Sequence, residues 1–237
     1  MPDFATLSNS EILIAFAKGL LLAPAALLPI INPIGVAPMY LTLRGPVDER
    51  TNRRVAKRVA LHAGLMLLAA MFIGAQVLSF FGISLPIVRV GGGLIVAAAA
   101  WKLLYDPHAD KVTEPVGRTA RSPAEVLQHS FFPLTFPFTV GPGSLSAAIT
   151  LGATMSFHRP AQVAMAVAMS VGVGLTTVAI YLGYRFAPQL VRGLGSVGTT
   201  VLLRFSAFIL LCVGVQIVWD GAAELVLELA RELARLR

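Results

Sequence analysis

Residues 28–43 read LPIINPIGVAPMYLTL, and residues 132–147 read FPLTFPFTVGPGSLSA. The two segments match in register when they are offset by 104 residues, which aligns Pro29 with Pro133, Pro33 with Pro137, Val36 with Val140, and Pro38 with Pro142. Each proline removes a backbone donor and crowds the preceding turn, so both segments are predicted to interrupt a helix. The matching prolines also predict an internal repeat.

The rest of the chain is unusually apolar. Of its 237 residues, 56% are hydrophobic and only 13% are charged, and the mean hydropathy is +0.77. A soluble domain carries about a quarter charged residues. The charges here gather at 44–58, 102–125 and 220–237. This pattern predicts an integral membrane protein whose basic loops face anionic lipid, so its net charge of +7 indicates the bilayer as a partner rather than nucleic acid.

Six stretches are long and apolar enough to cross the bilayer, which takes about 20 residues. We predict an all-α membrane protein with spans at 12–43, 58–81, 83–105, 129–156, 161–186 and 198–219. The first and fourth spans contain the proline motifs, so transmembrane helices 1 and 4 are predicted to be broken.

The spans group into two halves of three, residues 1–105 and 129–220, joined by a polar cytoplasmic linker at 106–128. Because three is odd, the second half is predicted to lie inverted relative to the first. Residues 221–237 are predicted to form an amphipathic tail, either on the membrane surface, against a neighbour, or as a solvated helical extension.

Lysine and arginine counts predict the orientation. The loops after spans 1, 3 and 5 hold twelve basic residues, whereas the loops after spans 2 and 4 hold one, Arg159. Both termini are therefore predicted to be periplasmic. If 129–143 is instead a re-entrant hairpin, the chain has five crossings and the C-terminal tail is cytoplasmic, and the charge pattern tolerates this alternative.

Two symmetry-related helix breaks inside a membrane predict a polar site between them, because unpaired backbone groups survive there only against protein or a wet cavity. Asn32 is the predicted specificity residue, since its amide both donates and accepts. The remaining predicted substrate-binding residues are Pro33, Gly35, Pro137, Thr139, Gly141, Pro142, Gly143 and Ser144. In the structural alternative, Asn32 only caps the broken helix and the prolines only kink it.

Three other polar residues have two interpretations each. Arg89 and Arg204 occupy similar places in spans 3 and 6, where they either support the broken helices or extend to the headgroups. His62 is either a proton-coupling group or an interfacial histidine. Proton or sodium coupling and the oligomeric state stay open.

The sequence offers little for catalysis. No acidic residue lies in a span core, and no HExxH, Walker or Cys/His metal pattern occurs. We therefore expect no enzyme, no cofactor and no metal. Gly91-Gly92-Gly93 lacks the spacing of a nucleotide loop and instead predicts close helix packing.

The motif Asn32-Pro33-Ile34-Gly35 with Pro38, followed by Pro133, Pro137 and Gly141-Pro142-Gly143, resembles the paired signature of the MarC family. Arg89-Val-Gly-Gly-Gly-Leu is similar to that family's third span. The resemblance covers roughly residues 12–220 and departs from the family at Val36, where relatives often carry asparagine or a small residue. It implies six spans in the bacterial inner membrane and kinship with transporters of small neutral amino acids.

Together with this resemblance, the helix breaks predict a secondary transporter that moves small zwitterionic amino acids by alternating access, with alanine and glycine as the substrates that the resemblance implies. Two alternatives remain: a membrane scaffold that transports nothing, and a passive channel whose flux does not saturate.

Overall fold

The computed structural model describes residues 9–105, 123–155 and 160–235, and every regular element in those ranges is helical. In chain order the helices are α1 (Asn9–Ile31), α2 (Ala37–Arg44), α3 (Glu49–Phe80), α4 (Leu85–Leu104), α5 (Pro123–Gln128), α6 (Pro142–Ala153), α7 (Pro160–Arg185) and α8 (Ala187–Arg235). Ser130–Thr139 forms a wider, π-type turn between α5 and α6, which we call the wide segment. The predicted all-α class is confirmed over these residues.

The first predicted span, 12–43, consists of α1 and α2. Its four prolines lie in three different places. Pro24 and Pro29 lie inside α1, Pro33 lies in the break, and Pro38 lies in the first turn of α2, where a missing N–H removes no helical bond. The break therefore falls at residues 32–36.

The fourth predicted span, 129–156, consists of the wide segment and α6, bent by 70° relative to each other. Phe132 and Phe136 have extended φ/ψ values inside the wide segment. Each precedes a proline, whose ring disfavours the α region for the residue before it. Pro142 lies in the first turn of α6, as its repeat partner Pro38 does in α2.

Five described helices are long and apolar enough to cross a membrane: those within α1, α3, α4, α7 and α8. The wide segment and α6 make a sixth span if they count as one, and otherwise they form the re-entrant loop of the five-crossing alternative. The count of six spans and the inverted arrangement of the halves stay predictions.

Helix α3 begins earlier than the span predicted at 58–81, because it takes in most of the basic stretch 44–58. Buried residues recur through its first three turns at helical spacing, namely Thr51, Asn52, Val55, Ala56 and Val59. These residues face the core while the basic residues between them are exposed. A helix with one packed face thus occupies what the charges alone indicated as a loop.

Helix α8 includes both the span predicted at 198–219 and the tail predicted at 221–237, as far as Arg235. Its one interruption is Gly195, with φ 66° and ψ −174°. Gly221 packs against Pro86 of α4, so the helix stays in contact with the bundle where the tail was predicted to start. The linker prediction up to residue 122 and the last two residues of the tail lie outside the described residues; residues 123–128 of that linker form α5.

The bundle is built from three main helix pairs: α4 with α8, α1 with α7, and α3 with α6. Glycines allow the first pair to approach backbone to backbone. A β-carbon at Gly93 would lie 2.8 Å from the Gly214 carbonyl oxygen and 2.8 Å from the Val218 amide nitrogen. Close packing predicted for Gly91–Gly93 is thus present at Gly93, whereas a β-carbon at Gly91 would meet no atom within 4 Å.

We predict that Gly93→Ala lowers the stability of the protein by about 1–3 kcal/mol, because the added methyl forces α4 and α8 apart. Thermal unfolding in detergent measures the effect. Gly91→Ala is the matched control, since its methyl enters open space and alanine favours the helix, so its melting temperature should equal or exceed that of the parent. Equal melting temperatures for the two variants would contradict the backbone contact.

Candidate functional site

Asn32 accepts hydrogen bonds from the backbone N–H groups that the first helix break leaves free. Its φ of 42° lies in the left-handed region, which asparagine tolerates better than most residues. Its Oδ1 accepts a hydrogen bond from the Gly35 N–H at 3.1 Å, and its carbonyl oxygen accepts one from the Val36 N–H at 3.0 Å. This is the contact that the structural alternative for Asn32 predicts. The Asn32 Nδ2 has no hydrogen-bond partner in the described part of the chain.

A cavity of about 520 Å³ lies between the end of α1 and the last turns of α7. Asn32 and Pro33 line it together with apolar side chains that include Leu182 and Phe186. We call it the asparagine cavity. Gly35 faces α8 instead, where a β-carbon would overlap with Ser206 Oγ, so its role in the structure is close packing.

The hydroxyls predicted at the second break are bonded to nearby backbone. Thr139 Oγ1 donates to the Leu134 carbonyl at 2.6 Å, and Ser144 Oγ donates to the Gly141 carbonyl at 3.0 Å. Gly143 is buried where a β-carbon would overlap with Val96 of α4. Pro137 and Pro142, also predicted to bind substrate, are exposed.

A buried polar group of side chains, which the sequence did not reveal, connects the two breaks. The rings of Tyr40 in α2 and Tyr184 in α7 stack with centroids 4.2 Å apart and planes 5° from parallel. Tyr184 Oη lies 3.0 Å from Thr139 Oγ1 and is the donor there, because the threonine proton already goes to a carbonyl. Tyr40 Oη donates to Asn52 Oδ1 at 3.1 Å. We call these four residues and Arg44 the tyrosine cluster.

Asn52 is the residue that holds the tyrosine cluster together. Its Oδ1 also accepts from Arg44 Nη1 at 2.6 Å, and its Nδ2 donates to the carbonyls of Arg185 at 3.1 Å and Tyr184 at 3.4 Å. Arg44 is only 7% exposed, and its Nε has no partner among the described residues. Both residues belong to the stretch interpreted as a basic loop, which is why they were missed. The helical spacing of Asn52 with Val55 and Val59 was the signal that identifies its burial.

We predict that Asn52→Ala destabilises the protein by about 2–3 kcal/mol, because it leaves the buried Arg44 guanidinium and two carbonyls without their partner. The measurement is again thermal unfolding in detergent. Arg54→Ala, an exposed position in the same helical turn, is the control and should change stability by less than about 0.5 kcal/mol. A melting temperature for Asn52→Ala close to that of Arg54→Ala would show that the cluster contributes little.

A second cavity, of about 570 Å³, lies between α1, α4, α6 and α8. We call it the charged cavity. Its polar lining consists of Arg89, Ser146, Thr150, Gln216 and Asp220. Because α3 runs 32 residues from the turn that holds Asn52 to the turn before α4, this cavity lies toward the opposite end of the bundle from the tyrosine cluster.

Arg89 is fixed in the charged cavity from two sides. Its Nε donates to Thr150 Oγ1 at 3.2 Å, and its Nη1 forms an ion pair with Glu224 of α8. The Arg89 side chain is 21% exposed and that of Glu224 is 42% exposed. One turn before Glu224, Asp220 accepts a hydrogen bond from Gln216 Nε2 at 2.8 Å. Cationic and anionic groups from different helices therefore meet at this cavity.

The other two residues singled out from the sequence have different surroundings. Arg204 is exposed on α8, so it does not share the environment of its repeat partner Arg89. The His62 ring lies edge-on to Phe131 with centroids 5.6 Å apart, and its buried Nδ1 has no hydrogen-bond partner among the described residues. Support for the broken helices and proton coupling stay predictions for these residues.

The two cavities include Asn32, Pro33 and Arg89 from the predicted set, whereas none of residues 137–144 lines either one. The structure thus brings Thr139 into the tyrosine cluster instead of into the cavity that Asn32 lines. No group of three or more histidine, cysteine, aspartate or glutamate side chains is placed to hold a metal ion in the described ranges.

The sequence of this chain is similar to a known protein family. A family model described as MarC family integral membrane protein matches residues 18–226. The chain is 28% identical over 216 residues to proteins named UPF0056 inner membrane protein MarC from Escherichia coli (strain K12), Shigella flexneri and Shigella boydii serotype 4 (strain Sb227). The matched region covers 88% of this chain and 96% of each relative. No solved structure is significantly similar to this chain. The family match confirms the resemblance predicted from the paired proline motifs.

Proposed function

Because the chain belongs to the MarC family of integral membrane proteins, we propose that it is a secondary transporter that carries small neutral amino acids, such as alanine and glycine, across the bacterial inner membrane. Its relatives are named inner membrane proteins, and its apolar helices suit that location. The proposed mechanism is alternating access, with the basic end of the bundle in the cytoplasm and both termini in the periplasm.

The observation that carries this proposal is the asymmetry of the bundle. At the basic end, the stacked rings of Tyr40 and Tyr184 and their buried hydrogen bonds fill the space between the two broken spans. Toward the other end, the charged cavity provides about 570 Å³, a volume within the range of small-molecule sites. A carrier that alternates access needs one end closed while the other is open.

The pattern of helix neighbours supports an inverted repeat. Exchanging the two halves converts the α1–α7 contact into a contact between the wide segment and α3 and leaves the α4–α8 pair as it is, and all three pairs are present. Pro38 and Pro142 start α2 and α6, the two helices that resume after the breaks. In this arrangement α2 and α6 run in opposite directions, as helices of symmetry-related halves do in many secondary transporters.

A zwitterion is the substrate class that suits such a protein. A net charge is expensive to carry through the hydrocarbon region, whereas a zwitterion brings both signs and no net charge. Asn32 lines the asparagine cavity, and its Nδ2, which has no partner among the described residues, is proposed to contact the substrate. Proton or sodium coupling is proposed without a choice between them, with His62 as the candidate for a proton.

We predict saturable uptake of radiolabelled alanine or glycine by proteoliposomes that contain the purified protein. Saturation separates a carrier from a channel, whose flux rises linearly with concentration. Dissipating a proton or sodium gradient identifies the coupling ion. A well-folded preparation that transports no small amino acid would support the scaffold alternative instead.

The capping contact of Asn32 shapes the choice of variants. Asn32→Ala should lower stability by about 1–2 kcal/mol, because it removes a cap and places alanine in the left-handed region. Asn32→Asp keeps the Oδ1 acceptor for Gly35 but removes the amide donors. We predict that Asn32→Asp unfolds near the parental temperature yet transports at least about tenfold more slowly, as expected for loss of one hydrogen bond to the substrate. Parental transport by Asn32→Asp would restrict Asn32 to capping.

A further inference from the structure

We infer that the charged cavity binds a free amino acid, whose carboxylate pairs with Arg89 and whose ammonium group pairs with Asp220. When the cavity is empty, Glu224 forms the ion pair with Arg89 instead. This inference rests on the proposed transport function and names the groups that recognise its substrate. It adds a site that the proline motifs do not contain.

Arg89 is placed to bind a carboxylate. The bond from its Nε to Thr150 Oγ1 fixes the plane of the guanidinium, while its Nη1 points to the carboxylate of Glu224. A guanidinium presents its donors as a planar fork that matches the two oxygens of a carboxylate. The position taken by Glu224 is therefore one that a ligand carboxylate can take in its place.

Exchange of one carboxylate for another is favoured by the exposure of Glu224. An arginine that is only 21% exposed in an apolar bundle needs a partner at all times, because leaving it unpaired is costly. Glu224, at 42% exposed, sits at the edge of the pair and can turn toward water. The ligand thus replaces a partner of Arg89 without leaving the charge unpaired.

Asp220 supplies the opposite pole. It lines the same cavity one turn before Glu224, and the bond from Gln216 Nε2 holds its Oδ1. A carboxylate has acceptor sites on both oxygens, so Asp220 retains capacity for an ammonium group. A zwitterion placed between Arg89 and Asp220 adds no net charge to the cavity, whereas a simple anion or cation does.

Apart from Ser146, the remaining walls are mainly apolar. Ala25 and Ala26 of α1 and Ala147 of α6 line the cavity and leave room for a small substrate side chain. Four helices therefore surround the ligand: α4 with Arg89, α8 with Asp220, α6 with Ala147, and α1, which also lines the asparagine cavity.

The test is equilibrium binding to the purified full chain in detergent, followed by thermal stabilisation, with alanine, propionate and ethylamine as ligands. Propionate lacks the ammonium of alanine and ethylamine lacks its carboxylate. We expect alanine to bind at least about tenfold more tightly than either fragment. Equal binding of alanine and propionate would overturn the role of Asp220.

Four variants assign the groups. Arg89→Gln should lose both alanine and propionate, and Asp220→Asn should weaken alanine at least about tenfold while leaving propionate unchanged. Glu224→Gln should bind alanine several-fold more tightly, because it frees Arg89, even though it removes an ion pair. A merely structural ion pair would not produce that gain. Lys102→Gln, exposed in the last turn of α4, is the control and should bind as the parent does.

The charge-reversed pair Arg89→Glu with Glu224→Arg gives a further readout. It should recover part of the stability lost in Arg89→Gln but should not recover binding of alanine. Should Arg89→Gln fail to fold, Asp220→Asn decides the matter alone, since Asp220 is exposed and its substitution leaves the ion pair intact.

These experiments distinguish failure of this site from failure of the transport function. If the parent binds and transports alanine but Arg89→Gln and Asp220→Asn bind it within about twofold of the parent, the assignment of this cavity is overturned and the transport function stands. If the parent neither binds nor transports any small amino acid, the transport function fails, and this inference fails with it.

Discussion

A backbone N–H group that has no helical acceptor inside the hydrocarbon region must find another hydrogen-bond acceptor, and this requirement governs both broken spans. At the first break, the side chain and carbonyl of Asn32 accept the N–H groups of Gly35 and Val36. At the second break the chain winds more widely, and the Val140 N–H reaches the carbonyl of Thr135 at 2.8 Å. Equivalent proline motifs are thus satisfied in two ways, by a side-chain cap and by a wider turn.

These local solutions determine what the breaks can do. Asn32 uses Oδ1 for its cap and retains only Nδ2 for a ligand, and Thr139 gives its proton to the Leu134 carbonyl and accepts one from Tyr184. Around the two breaks the polar groups are therefore mostly neutral and mutually bonded. The opposed charges that suit a zwitterion lie elsewhere, at the end of the bundle where Arg89 meets Glu224.

The proline motifs were enough to predict that both spans are broken, because the missing N–H acts locally, although Pro24 and Pro29 leave α1 helical. Close packing at Gly93 was also predictable, since small residues in apolar helices have few other uses. The stacking of Tyr40 on Tyr184 was not, because it depends on the direction that α2 takes after the break.

The ion pair between Arg89 and Glu224 was not predictable either. Glu224 lies 135 residues from Arg89, in a segment whose polar stripe predicted an amphipathic tail. Only the unbroken continuation of α8 past Asp220 brings the two together. Helix ends are the least predictable feature of a sequence, and here the extent of one helix decides whether Arg89 has a carboxylate partner.

The last turn of α1 separates the two cavities. Pro29 and Ile30 line the charged cavity, and Asn32 and Pro33 line the asparagine cavity. Since Pro29 and Pro33 have no N–H, the carbonyls of Ala25 and Pro29 lose the donor that a regular helix supplies four residues on. This turn therefore holds fewer backbone bonds than an ordinary turn of helix, and unwinding it breaks fewer of them. The two cavities are thus separated by a turn of α1 that two prolines leave short of backbone hydrogen bonds.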